Sequence, residues 1–96
     1  MAISQEQLVR LLIAERGKVL AYIRSIVRGE HMAEDVFQDV SMLAIRKQYE
    51  INDEAHFLKW MRSAARLEAL NAIRKARKRQ PGGALKLRTR GRFARQ

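Results

Sequence analysis

Apolar side chains recur every three or four residues along most of this chain, and this spacing constrains its fold more than any other feature. Val, Ile, Thr and aromatic residues never alternate with polar ones over a strand-length run, and the single proline is Pro81. A spacing of three and four places apolar side chains on one face of a helix. The chain has 96 residues, of which 47% are hydrophobic, which is enough for one small domain. The sequence therefore predicts an all-α fold, a compact bundle of three main helices.

The first helix is predicted over residues 5–28. Ser4 and Gln7 form the S-x-x-Q pattern of a capping box at its start, and Gly29 is a natural stop. Gly17 weakens its middle by about 1 kcal/mol relative to alanine, so a kink is expected there. The predicted apolar stripe consists of Leu8, Leu11, Leu12, Val19, Ile23, Ile26 and Val27.

The second helix is predicted over residues 31–47, with one apolar stripe and one polar face. The stripe contains Val36, Phe37, Val40, Leu43 and Ala44. The polar face, with members spaced i, i+3, i+4, i+7 and i+11, consists of Asp35, Gln38, Asp39, Met42 and Arg46. Two interpretations stay open on the pattern alone. The acids either form a solvated face that suits the helix dipole, or they dock a protein that presents basic side chains.

The third helix is predicted over residues 54–79, after a polar loop over 48–56 in which Asn52 or Asp53 caps the helix. It begins apolar and ends in the basic run 74-RKARKR-79, and 81-PGG-83 is its stop signal. Residues 84–96 are basic and show no stripe, so we expect a flexible tail. The domain is therefore placed at residues 1–80, and residues 81–96 are a basic tail or the start of a linker.

Charge is divided unequally between the two parts of the chain. Residues 1–58 hold seven Lys/Arg and nine Asp/Glu (net −2), and residues 59–96 hold thirteen Lys/Arg and one acid (net +12). Such an asymmetry indicates a polyanionic partner, with nucleic acid as the first candidate and an anionic membrane surface as the second. Tyr49, in the loop, is the better candidate for stacking on unpaired bases, whereas Trp60 is interpreted first as a core residue.

No enzymatic constellation is found in the sequence. His31 and His56 lie 25 positions apart without metal-ligand spacing, no serine has a neighbouring histidine base, and no glycine-rich loop opens a helix. We therefore predict no catalytic residue, no metal and no cofactor. The absence of cysteine fits a reducing cytoplasm, and the longest apolar run is far too short for a membrane span.

Two segments together carry a family resemblance. The stretch 33-AEDVFQDVSMLAIRK-47 matches at Ala33, Glu34, Asp35, Gln38 and Asp39, and the stretch 57-FLKWMRSAARLEALNAIRKARKR-79 matches at Phe57, Trp60, Ala65, Arg66, Leu70 and the basic run. With the helix before them, they resemble region 2 of bacterial sigma factors, the extracytoplasmic-function (ECF) group in particular. The resemblance covers residues 5–80.

The resemblance implies a non-enzymatic protein that directs RNA polymerase. Its second helix would dock on the clamp coiled coil of the largest subunit of core RNA polymerase through Asp35, Gln38, Asp39, Met42 and Arg46. The loop and third helix would engage the −10 promoter element on the non-template strand, with a flipped base held by the loop. An anti-sigma factor is a further partner of such proteins. The implied DNA-binding residues are Tyr49, Asn52, His56, Arg62, Arg66, Asn71, Arg74, Lys75, Arg77 and Lys78.

Some positions depart from the family pattern. Family members often carry arginine where this chain has Ser63 and asparagine where it has Leu67, which leaves the DNA preference open. They also have a second helical domain, region 4, which these 96 residues lack, so the chain is either a fragment or a region-2-only protein. A small basic helical module that binds DNA or RNA without polymerase is the alternative function, and a membrane-surface protein is a weaker one.

Overall fold

The computed structural model describes residues 2–79, which form four α-helices. They are α1 (Gln5–Ala14), α2 (Arg16–Arg24), α3 (Glu30–Arg46) and α4 (Glu54–Arg79), with a short 3₁₀ helix at Gln48–Glu50. The all-α prediction is confirmed, and the count of three helices is approximate because the first predicted helix consists of α1, α2 and a turn. The predicted tail over 81–96 lies outside the described residues.

The first predicted helix is interrupted at Glu15, two residues before the glycine at which a kink was expected. Glu15 has φ −100° and ψ 8°, and its N–H still donates to the carbonyl of Leu11 at 2.8 Å. It lies seven residues after Leu8 and four before Val19, which are both buried, so a straight helix would turn its carboxylate into the core. The helix breaks at this residue, where the carboxylate lies 3.3 Å from the ammonium of Lys18 and its Oε1 remains buried.

The core is built from one face of each helix and is closed by α4. α4 packs mainly against α3 and α2, while α1 packs against α2 and α3. The largest side chains with less than 2% exposure are Phe57, Leu8, Leu20, Ile23, Ile51, Met61, Val36 and Val40. The two predicted apolar stripes and the apolar start of the third predicted helix therefore contribute to a single core.

The chain segment before α1 is fixed to the loop before α4. The N–H of Ile3 donates to the carbonyl of Ile51 at 2.9 Å, and Gln48 Nε2 donates to the carbonyl of Ile3 at 2.7 Å. Ile51 is fully buried, and Ile3 is also part of the core. This loop is therefore anchored to the core by Ile51 and to the segment before α1 by two hydrogen bonds.

The predicted helix caps at Ser4 and at the start of α4 are confirmed, and the structure resolves which residue caps α4. Ser4 Oγ accepts from the N–H of Gln7 at 3.1 Å, and Gln7 Oε1 accepts from the N–H of Ser4 at 3.2 Å. Asp53 Oδ1 accepts from the N–H of His56 at 2.8 Å, so Asp53 is the capping residue. Asn52 instead donates its N–H to Nδ1 of His56 at 3.2 Å.

The turn between α2 and α3 is closed by Gly29 and by an ion pair. Gly29 has φ +86°, a conformation that other residues adopt only with strain. Across the turn, Arg24 donates from Nη2 and Nε to the carboxylate of Glu30 at 2.6 and 3.0 Å. These hydrogen bonds raise the pKa of Arg24 and lower the pKa of Glu30. The turn thus fixes where α3 begins.

Candidate functional site

One face of α3 is exposed along the whole helix and carries the residues predicted from the sequence. We call it the α3 face; its members, all exposed, are Asp35, Gln38, Asp39, Met42 and Arg46. The side chain of Met42 is 51% exposed at the middle of this face, and Ile45, which sequence reasoning missed, is 38% exposed beside it. The opposite side of α3 is buried. The surface therefore combines an apolar centre with charged groups at its edges.

The adjacent acids Glu34 and Asp35 have different surroundings. Glu34 Oε1 accepts from Arg16 Nη2 at 2.7 Å, which ties α3 to α2. The guanidinium of Arg16 also lies 5.3 Å from the ring centroid of Phe37. Within residues 2–79, Asp35 and Asp39 have no ion-pair partner. Glu34 thus serves the fold, whereas the two aspartates are available to a partner.

A groove of about 400 Å³ separates the α3 face from α4, and we call it the acid groove. Asp35 and Asp39 lie on its α3 wall, and Glu68, Asn71 and Lys75 lie on its α4 wall. Three carboxylates thus face one lysine. Asn71 and Lys75, predicted as DNA contacts, are therefore neighbours of the predicted polymerase contacts, and the two predicted surfaces meet along this groove.

The predicted cations of α4 are all exposed and, among the described residues, form no ion pair; they are Arg62, Arg66, Arg74, Lys75, Arg77 and Lys78. They do not form one patch. Arg74 and Lys78 line a groove with Asn71 and Lys75, all of them on α4. Arg77 instead lines a groove with Ile26 and Arg28 at the end of α2. Phosphates could therefore be bound on two flanks of the helix.

The loop before α4 presents one free aromatic ring. The side chain of Tyr49 is 69% exposed, and Asn52 is exposed as well. His56 is half-buried and its Nδ1 accepts from the Asn52 N–H, so its imidazole is already engaged in the loop. Tyr49 is therefore the better placed of the three predicted loop residues for contact with a base.

Trp60 is neither a full core residue nor a free ring. It is half-buried, and its Nε1 donates to Glu50 Oε1 at 3.1 Å. The ammonium of Lys47 approaches the same carboxylate at 3.7 Å. A groove of about 230 Å³, which we call the Trp60 groove, lies here and also includes Ser63 and Leu67. Glu50 thus joins the loop to α4.

Two kinds of site have no support in the part of the chain that the structure describes. Residues 2–79 contain no group of three or more His, Asp or Glu side chains arranged to hold a metal ion. Over the same residues, no helix combines the length and apolar character needed to cross a membrane.

Comparison with known families agrees with this geometry. A family model described as Sigma-70 region 2 matches residues 11–79. The chain therefore belongs to the sigma-70 region 2 family, a non-enzymatic domain of transcription factors. No curated protein and no solved structure matches the chain. Membership supports a sigma-factor-like role in polymerase binding and promoter melting.

Proposed function

We propose that this protein is a sigma factor of the ECF group that acts in the cytoplasm to direct transcription initiation. It binds core RNA polymerase through the α3 face and unpaired −10 promoter DNA through the loop and α4. The observation that carries the proposal is the family match over 11–79 together with an exposed α3 face whose aspartates have no ion-pair partner within residues 2–79.

The acids of the α3 face favour a protein partner over DNA. Carboxylates beside a phosphate backbone are repelled, so Asp35 and Asp39 would weaken DNA binding if they faced it. Met42 supplies exposed apolar surface between Asp39 and Arg46, and interfaces typically place apolar contacts at the centre and charges at the rim. A basic helical surface on the clamp coiled coil of the largest polymerase subunit is the partner of matching chemistry.

The exposed cations of α4 favour a nucleic acid as the second partner. Arg62, Arg66 and Arg74 have no intramolecular carboxylate partner among residues 2–79. Each cation that meets a phosphate releases a counterion, which makes binding sensitive to salt. Tyr49 adds an exposed ring on which an unpaired base can stack. The −10 element of the non-template strand, opened by polymerase, presents both groups.

Capture of purified core RNA polymerase by the immobilised chain tests this proposal. The unaltered protein should retain the polymerase, and the double variant Asp35→Arg plus Asp39→Arg should not, with unchanged helicity by circular dichroism. Gln5→Arg plus Glu6→Arg, on exposed positions of α1, also adds positive charge, is the control, and should retain capture. Failure of the unaltered chain to capture polymerase would sink the proposal.

The exposed cations also suit the alternative of a basic module that binds DNA or RNA without polymerase. That function predicts salt-sensitive binding to any duplex, with no preference for an unpaired −10-like strand. Equal affinity for duplex and unpaired strands, together with no polymerase capture, would favour it. An anti-sigma partner remains a prediction of the family resemblance.

A further inference from the structure

The acid groove between α3 and α4 carries more negative charge than the described residues neutralise. Asp35 and Asp39 on α3 and Glu68 on α4 line it together with one lysine, Lys75. Within residues 2–79, none of these three carboxylates forms an ion pair. Acidic residues that lie close together do not identify a ligand by themselves, so the occupant of the groove has to follow from a second feature of the chain.

That second feature is the charge of residues 80–96, which follow α4 and lie outside the described part of the chain. They contain no Asp or Glu and five cations, which are Lys86, Arg88, Arg90, Arg92 and Arg95. The first four recur at every second position, and in an extended segment such side chains point to the same side, about 6.6 Å apart. Asp35 and Asp39, four positions apart on α3, are about 6 Å apart along the helix axis. The spacing of the cations therefore matches the spacing of the aspartates.

These residues are also long enough to reach the acid groove from the end of α4. Between Glu68 and the last helical residue, Arg79, α4 rises by about 16 Å. The seven residues from Arg79 to Lys86 span up to about 23 Å when they are extended. Proline and glycine, as in 81-PGG-83, are typical of turns in which the chain reverses direction. Lys86 and the cations after it can therefore return along α4 while the helix stays intact.

We propose that residues 86–92, the basic segment, fold back along α4 and bind in the acid groove, where their cations pair with Asp35 and Asp39. An exposed ion pair contributes little by itself, but the short connection to α4 makes the contact intramolecular, at an effective concentration on the order of millimolar. Arg74 and Lys78 repel the same segment from the neighbouring groove on α4. Both aspartates belong to the α3 face, so the bound segment competes with polymerase. This competition rests on the proposed function, whereas the intramolecular contact does not.

Paramagnetic broadening of NMR signals in the full chain tests the intramolecular contact. The sequence has no cysteine, so Thr89→Cys accepts a single nitroxide label in the middle of the basic segment. The amide signals of Asp39 and Asn71 should lose intensity, whereas that of Glu54, at the opposite end of α4, should not. The loss should disappear in about 1 M NaCl, where the Debye length is about 3 Å. A loss in a mixed sample, with the label and nitrogen-15 on separate molecules, would mean contact between copies and would overturn the inference.

Neutral variants of the labelled chain show whether the arginines hold the basic segment in place. Arg88→Gln plus Arg90→Gln should restore both signals. Arg10→Gln plus Lys59→Gln, on exposed positions of α1 and α4, removes the same charge, is the matched control, and should leave the loss unchanged. Full intensity in the labelled chain without these changes, or a loss that survives Arg88→Gln plus Arg90→Gln, overturns the inference. Because no polymerase is present, either result leaves the proposed function intact.

Titration with core RNA polymerase tests the competition separately. Arg88→Gln plus Arg90→Gln should bind polymerase about threefold more tightly, because the apparent affinity rises with the fraction of molecules whose α3 face is open. Unchanged or weaker binding by this variant overturns the competition. Failure of the unaltered chain to bind polymerase contradicts the proposed function and leaves the contact seen by NMR in place, so the two failures are distinguishable.

Discussion

At the scale of single residues, Gly17 and Gly29 differ in whether the backbone conformation at their position requires glycine. Gly29 has φ +86°, where a Cβ atom is strained, whereas a Cβ added to Gly17 in α2 would meet no atom within 4 Å. Gly29→Ala should therefore lower the free energy of unfolding by roughly 1–3 kcal/mol. Gly17→Ala should raise it by about 0.5–1 kcal/mol, and urea denaturation measures both. Equal effects of the two substitutions would contradict this account.

The Arg24–Glu30 pair is a second residue-scale feature, and it predicts a pH dependence. The hydrogen bonds from Arg24 lower the pKa of Glu30 below its ordinary value of 4.5, so the carboxylate stabilises the fold when it is charged. This contribution is present above the unfolded-state pKa and is lost as the pH falls through the folded-state pKa. Glu30→Gln should lower the Tm at neutral pH, and the difference from the unaltered chain should vanish in strong acid. A difference that is constant across the pH range would show that the pair has no such role.

At the scale of elements, two adjacent acids of α3 are expected to have different roles. Glu34 stabilises the fold through Arg16, whereas Asp35 is proposed to bind polymerase. Glu34→Gln removes the ion pair with Arg16, which is about half exposed, so it should cost at most about 1 kcal/mol of stability and leave polymerase capture unchanged. Asp35→Asn should leave stability within about 0.5 kcal/mol and weaken capture about tenfold or more. Thermal unfolding measures the stability of both variants, and titration with polymerase measures their capture. Weakened capture by Glu34→Gln together with unchanged capture by Asp35→Asn would contradict this prediction.

Much of each element was predictable from the sequence, because local patterns determine helix starts and exposed faces. The capping box of Ser4 and the exposure of Asp35 and Met42 follow from spacing alone. The buried Ile51 did not, since its neighbours are polar and its partner Ile3 lies almost fifty residues away. The sequence predicted a kink at Gly17, but the helix is interrupted at Glu15. Helix propensity identifies glycine as a weak helix former, but it does not show that the side chain of Glu15 points toward the core. The acid groove between α3 and α4 depends on how the two helices pack, which no local pattern encodes.

At the scale of the whole molecule, the unequal charge of the two parts of the chain places acids on α3 and cations on α4. The two helices meet at the acid groove. The −2 part includes α3, and the +12 part includes residues 59–79 of α4; within residues 2–79, Asp35, Asp39 and the predicted cations of α4 form no ion pair. Because Asp35 and Asp39 face Asn71 and Lys75 across the acid groove, polymerase and promoter DNA would lie side by side on this protein and not on opposite sides. DNA bound along α4 would then be close to the polymerase surface.

Site-specific photocrosslinking in a complex with core RNA polymerase and promoter DNA tests this division most directly. The photoreactive residue p-benzoylphenylalanine replaces either Met42, at the centre of the α3 face, or Tyr49, in the loop; both side chains are more than half exposed. The account predicts that position 42 crosslinks to the largest polymerase subunit and that position 49 crosslinks to the non-template strand near the −10 element. Crosslinking of position 42 to DNA, or of position 49 to polymerase alone, would contradict it.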